Sequence, residues 1–185
     1  MTARPPPQDG DAAEATQRLF FALWPQPDLQ RRLHALAHAS LHETGGRLVS
    51  PENLHLTLVF LGGTGRDCRR CLEAAAGRVR TGRFSLQLYV AGYWPRPDAG
   101  WFGCSQPPGK LLDLVAALQA GAGGCGVDLQ TRPYAAHVTV VRRPVHPPGA
   151  VTIAPVEWPV DTFVLAESQS RPDGVHYRPL RAWPL

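Results

Sequence analysis

The sequence predicts an α+β domain built on an antiparallel sheet. Strand-length apolar runs sometimes follow one another directly, as at 84–93 and 100–105, where a doubly wound parallel sheet would interpose a helix. Three other stretches carry apolar residues at helical spacing. The 18 Gly and 19 Pro make up about a fifth of the 185 residues, so elements are short and turns frequent. An apolar content of 44% excludes wholesale disorder, and 18% charged residues argue against a coiled coil.

Taken in order, Leu19 to Trp24 is a continuous apolar run stopped by Pro25 and Pro27, the pattern of a buried strand. Residues 28–44 carry Leu29, Leu33, Leu36, Ala37 and Leu41 on one helical stripe, ended by Gly45 and Gly46. A strand follows at 53–61 after the Ser50-Pro51 turn. Residues 66–79 are helical, with Cys68, Leu72, Ala75 and Val79 on one face. Strands at 84–93 and 100–105 flank a turn rich in Pro, Asp and Gly. A third helix at 110–120 ends in glycines. Another strand covers 134–141, a turn 144–148, and a last pair of strands 163–167 and 175–180.

Residues 1–17 hold Pro5-Pro6-Pro7, three acids and no apolar segment. They read as a disordered tail, neither a secretory signal nor a transit peptide, ahead of a single domain at 18–185. No run reaches the roughly 18 apolar residues of a membrane-crossing helix, and a cytoplasmic protein without membrane association is expected. A monomer is expected as well. Four cysteines without a secretion signal are expected as reduced thiols. The net charge is +4, with Lys110 the only lysine. Arginine binds phosphate through a planar fork of donors, so an anionic partner is compatible with the charge but not demanded by it.

Two strands carry the chemistry. His55-Leu56-Thr57-Leu58 and His137-Val138-Thr139-Val140 share one pattern, 82 positions apart. Residues two apart in a strand point to the same face. Each strand therefore presents an imidazole and a hydroxyl on one side and aliphatic side chains on the other. If the two face each other, one cleft holds two imidazoles and two hydroxyls. Such a cleft suits phosphoryl chemistry: one imidazole removes a proton, the other supplies one, and the hydroxyls hold phosphate oxygens. Histidine titrates near pH ~6.5, so one neutral and one protonated copy can coexist near neutrality. No carboxylate cluster suggests a metal, and no cofactor is expected.

The paired motifs resemble those of the 2H phosphoesterase superfamily, and within it the bacterial and archaeal RNA 2′,3′-cyclic phosphodiesterases, long called 2′-5′ RNA ligases. The likeness extends to Arg18-Leu19-Phe20-Phe21-Ala22-Leu23, to Glu52 through Gly62, to His137 through Arg142, to Leu165-Ala166-Glu167-Ser168 and to the last residues from Tyr177. It covers 18–185. One departure is Ala136, where the family usually has proline before the second histidine.

The resemblance implies a two-lobed fold. Each lobe is an antiparallel sheet with helices on its outer side, and the cleft lies between. It implies hydrolysis of an RNA 2′,3′-cyclic phosphate to a 2′-phosphate, with reversible 2′-5′ ligation as the same chemistry run backwards. It casts His55 as proton donor, His137 as proton acceptor, and Thr57 and Thr139 as holders of the phosphate oxygens. A cyclic nucleotide, a 2′-5′ oligonucleotide or a purely binding role are the rival readings.

Arg142 is a candidate phosphate ligand, but its odd offset from His137 turns it to the wrong face unless the strand ends or bulges there. Phe60, Tyr134 and Trp101 are candidates to stack on the terminal base. His34, His38 and His42 recur every four residues opposite the leucine stripe and read as a solvated helix face. Cys68 and Cys71 form a C-x-x-C, but inside a helical pattern and with no second close pair.

Overall fold

The computed structural model describes residues 16–129, 133–147, 149–172 and 174–185; the expected disordered tail falls almost wholly outside them. The strands are β1 (Gln17–Leu23), β2 (Arg47–Leu48), β3 (Leu56–Thr64), β4 (Phe84–Trp94), β5 (Ala99–Gly103), β6 (His137–Arg142), β7 (Val151–Val160), β8 (Thr162–Arg171) and β9 (Gly174–Pro184). The helices are α1 (Pro27–Leu41), α2 (Arg66–Ala76) and α3 (Gly109–Gly124). None is long and apolar enough to cross a membrane.

The strands form one antiparallel sheet in the order β7-β4-β5-β6-β3-β1-β8-β9, with β2 added beside β6. Its middle is nearly severed. β3 and β6 share a single paired position, Leu56 with Val138, so the sheet opens there into two lobes. One lobe is β7-β4-β5-β6 and the other β3-β1-β8-β9. Two of the three helices cross to the lobe that did not precede them. α1 follows β1 yet packs on β6, β2 and β7, whereas α3 follows β5 yet packs on β3 and α2. This exchange ties the lobes together despite their narrow seam.

Strand alternation on β1 separates two apolar clusters. Leu19, Phe21 and Leu23 face the helices and the main core. There Phe21 meets Phe163 and Trp183, which stack on each other at 5.4 Å. Phe20 and Ala22 face the other way and form a small patch with Val164 and Ala166, against which Trp24 and Tyr177 pack. That second patch is the floor of one side of the cleft.

Several elements differ from the sequence expectation. β7 was not expected, because Pro155 and Pro159 interrupt its pattern. Among the described residues it pairs only with β4, and an edge strand tolerates missing donors. β2, only two residues long, also carries too little pattern to be read. β1 opens at Gln17, two residues before the expected Leu19, and α3 runs through its terminal glycines to Gly124.

The cysteines are not all reduced thiols. Cys71 on α2 is bonded to Cys125, the residue capping α3, while Cys68 and Cys104 are free. The two half-cystines lie 54 residues apart, and only the packing of α2 on α3 brings them together.

Candidate active site

The single Leu56–Val138 pair organises the cleft. Both side chains are fully buried on the helix side of the sheet. Their neighbours in sequence therefore point to the opposite side: His55 and Thr57 from one strand, His137 and Thr139 from the other. Antiparallel pairing then sets each histidine across from the other motif's threonine. The expected juxtaposition of two imidazoles and two hydroxyls is present, and it crosses the seam between the lobes.

Both imidazoles are held in the same way. His55 Nδ1–H donates to the Asn53 carbonyl at 2.7 Å, and His137 Nδ1–H donates to the Ala135 carbonyl at 2.8 Å. In each case the acceptor lies two residues upstream. This bond fixes the ring and leaves Nε2 as the nitrogen available to a substrate. Ala136 in place of the family proline leaves this contact intact, because the acceptor is the carbonyl before it.

Burial pulls both imidazoles below the ordinary histidine range. His55 is lowered to about 4, chiefly by burial. The Asn53 carbonyl opposes the shift, while the Arg142 and His137 charges add to it. His137 is lowered for the same first reason and by Arg142, against the Ala135 carbonyl. The expected pairing of one neutral and one protonated copy near neutrality therefore does not arise from the protein's own groups. An anion between the rings acts in the opposite direction, because it favours the imidazolium.

His55 is boxed by aromatic rings. Trp24 stacks nearly parallel to it at 5.4 Å, Tyr177 meets it edge-on at 4.6 Å, and Phe20 lies at 5.0 Å. His137 has Trp94 edge-on at 4.3 Å.

Arg142 reaches the cleft side because the strand bulges. Thr139 pairs with Trp101 and Val141 with Gly100, so Val140 is the extra residue. Val140 and Val141 both enter the core, and Arg142 returns to the face of His137 and Thr139. Arg142 Nη2 donates to the Tyr177 hydroxyl at 3.2 Å. The Tyr177 backbone N–H in turn donates to the Asn53 side-chain oxygen at 3.1 Å. Tyr177 thus links the arginine of one motif to the histidine of the other.

The expected aromatics take different places. Phe60 is 71% exposed and stands at 6.4 Å from Phe20 on the cleft side. Tyr134 packs against the main core. Its hydroxyl donates to the Thr57 carbonyl at 3.3 Å, and burial pushes the phenol well above its ordinary range. Trp101 lies across Gly92, where a Cβ would collide with the indole, and contacts Trp94 at 5.1 Å.

The sequence reading missed Trp24, Trp94, Asn53 and Tyr177. Trp24 alone carried a signal, since it continues the alternation of Phe20 and Ala22. Of the three helical histidines, His34 is half-buried and donates from Nδ1 to the Val49 carbonyl, a departure from the solvated face expected. Among the described residues no group of three or more His, Cys, Asp or Glu is arranged to hold a metal ion.

Residues 23–101 match the family model described as LigT-like phosphoesterase. Over 173 residues the chain is 34% identical to the RNA 2′,3′-cyclic phosphodiesterase of Escherichia coli, an alignment spanning 91% of this chain and 97% of that one. It is 28% identical to the Thermus thermophilus protein of the same name, covering 91% and 90%. The crystal structure of E. coli LigT complexed with 3′-AMP superposes with a TM-score of 0.82, covering 92% of this chain and 98% of that one.

Proposed function

The chain belongs to the LigT-like phosphoesterases of the 2H superfamily, the family of the RNA 2′,3′-cyclic phosphodiesterases, and on that premise we propose that it hydrolyses the 2′,3′-cyclic phosphate at an RNA 3′ end to a 2′-phosphate. The observation that carries the reading is the pair of opposed His-x-Thr strands around Leu56 and Val138. The names of the relatives and the 3′-AMP bound by E. coli LigT support a ribose phosphate as ligand.

In this reading His137 Nε2 takes a proton from water as the water oxygen attacks phosphorus. The bond from phosphorus to the 3′ oxygen breaks, and His55 Nε2–H supplies the proton that the leaving oxygen needs. The product is a 2′-phosphate and a free 3′-hydroxyl. Thr57 and Thr139 donate to the non-bridging oxygens, and Arg142 opposes their charge. A positioned acid or base contributes typically ~10²–10⁴-fold. With a 5′-hydroxyl RNA end in place of water, the same displacement joins two chains by a 2′-5′ bond and frees the 3′-hydroxyl. Phe60 offers the exposed aromatic face on which the terminal base stacks, whereas Tyr134 acts through its hold on the Thr57 carbonyl.

The test is hydrolysis of a short RNA ending in a 2′,3′-cyclic phosphate, in EDTA, with the product located by phosphorus NMR. Wild type is compared with His55→Ala and His137→Ala. A 2′-phosphate product, reduced at least a hundredfold in both variants, is the expected result. A 3′-phosphate product, loss of activity in EDTA, or turnover unaffected by either substitution would overturn it.

A further inference from the structure

We propose that Arg47 is a second phosphate site, one that takes a phosphodiester of the RNA chain on the 5′ side of the nucleotide undergoing reaction. The inference rests on the hydrolase reading above and extends it from the chain end to the chain itself.

The placement follows from strand pairing. β2 is only two residues long, and its register sets Arg47 directly opposite Arg142. Residues directly opposed in an antiparallel pair project to the same face, so the two arginines stand side by side on the cleft side. Like charges in that position are destabilising unless something neutralises them. Among the described residues neither arginine is ion-paired to a carboxylate. Arg142 leans on the Tyr177 hydroxyl. Arg47 is exposed and lies over Gly174 at the start of β9, where a Cβ would stand 3.2 Å from its Nη1. The described residues of the β8–β9 hairpin thus support both guanidinium groups without supplying a countercharge to either.

The surrounding charge is mostly of the same sign. Arg143 follows Arg142, and Arg171 stands at the end of β8, bonded to Gln169. Among the described residues two acids lie at this end: Asp98, which precedes the Ala99 paired with Arg142 and accepts from the Tyr93 hydroxyl, and Glu52. His34 and His176 act on the Glu52 carboxyl electrostatically, and it is held below the ordinary range chiefly by its own backbone N–H and Ser50.

If Arg142 faces the reacting phosphate, Arg47 is the next cation outward along the same face. An RNA chain presents its next anion one nucleotide from the first. A cyclic mononucleotide has no such anion. Arginine suits the task because its fork takes two phosphate oxygens at once. The site therefore distinguishes an RNA end from a small cyclic phosphate.

The experiment measures kcat/KM for wild type, Arg47→Ala and Arg47→Lys on two substrates, adenosine 2′,3′-cyclic phosphate and a pentanucleotide RNA with the same cyclic end. In Arg47→Ala the ratio of RNA to mononucleotide kcat/KM is expected to fall about tenfold, and in Arg47→Lys much less. The slope of log kcat/KM against log salt for the RNA is expected to shrink by about 0.7, the value for one phosphate contact on a single strand. An unchanged ratio in Arg47→Ala, or equal losses on both substrates, would overturn this inference and leave the hydrolase reading standing. No turnover of either substrate by wild type would overturn both.

Discussion

Phe60 and Arg142 occupy equivalent places in the two halves of the molecule. Each stands five residues beyond its strand's histidine. Each is returned to the cleft side by a one-residue bulge just after the motif threonine. Leu58 is the extra residue before Phe60, and Val140 the extra residue before Arg142. In both strands two consecutive aliphatics, Leu58-Val59 and Val140-Val141, enter the core as a result. The two halves share a backbone device but differ in what it delivers: an exposed aromatic ring on one side and a guanidinium on the other. The cleft thereby acquires an apolar end and a basic end, which is the polarity of a nucleotide.

Tyr177 is the residue through which Arg142 meets the His55 side. Tyr177→Phe removes the hydroxyl that accepts from Arg142 and keeps the ring edge against His55. A hydrogen bond to a charged group is worth about 1.5–3 kcal/mol. Loss of this one is expected to lower kcat/KM on the cyclic-ended RNA by roughly tenfold or more. The pH profile should keep its shape, because the groups around His55 are unchanged. Steady-state kinetics across pH 4–9 checks both statements, and a displaced profile would show that the hydroxyl acts on the imidazole instead.

The pH dependence has a definite sign. In the proposed roles His55 must be protonated to donate, and its pKa of about 4 makes that form scarcer as pH rises above 4. In the same proposal His137 must be neutral to accept, and its lowered pKa makes that form available below the ordinary histidine range. The bell of kcat/KM, which reports the free enzyme, is therefore expected to peak below pH ~6.5. A bound phosphate anion favours both imidazoliums, so kcat is expected to peak at a higher pH, by about one unit or more. Coincident optima, or a rate that rises steadily with pH, would count against this arrangement of the two histidines.

The Cys71–Cys125 bond joins α2 to the end of α3 on the helix side of the sheet, away from the cleft. Closing a loop of this length is worth typically 2–4 kcal/mol. Cys71→Ser is expected to lower the urea midpoint of unfolding without changing kcat under native conditions. Urea titration beside an activity assay at low denaturant checks the separation, and a large fall in kcat in the folded variant would contradict it.

Local periodicity was enough to set the relative directions of the candidate site side chains. Alternation at period two puts His55 with Thr57 and His137 with Thr139 whatever the strands pair with, and the apolar residues between them define the buried face. Helices α1, α2 and α3 were legible for the same reason, since their stripes are regular. The proline-bearing edge strand β7 was not, because its pairing on one side alone relaxes the pattern that a central strand must show.

Contacts between distant segments carried no signal of that kind. The bulges that bring Arg142 and Phe60 to the cleft depend on which residue of β5 or β1 lies opposite. The ring stack of Trp24 on His55, the Asn53–Tyr177 lock, and the meeting of Cys71 with Cys125 depend on how lobes and helices pack. Side-chain direction along a regular, unbulged stretch of strand is a property of the chain's own geometry and can be read from order alone. Proximity between strands or helices is set by the sum of packing over the whole core, and no single stretch of sequence contains it.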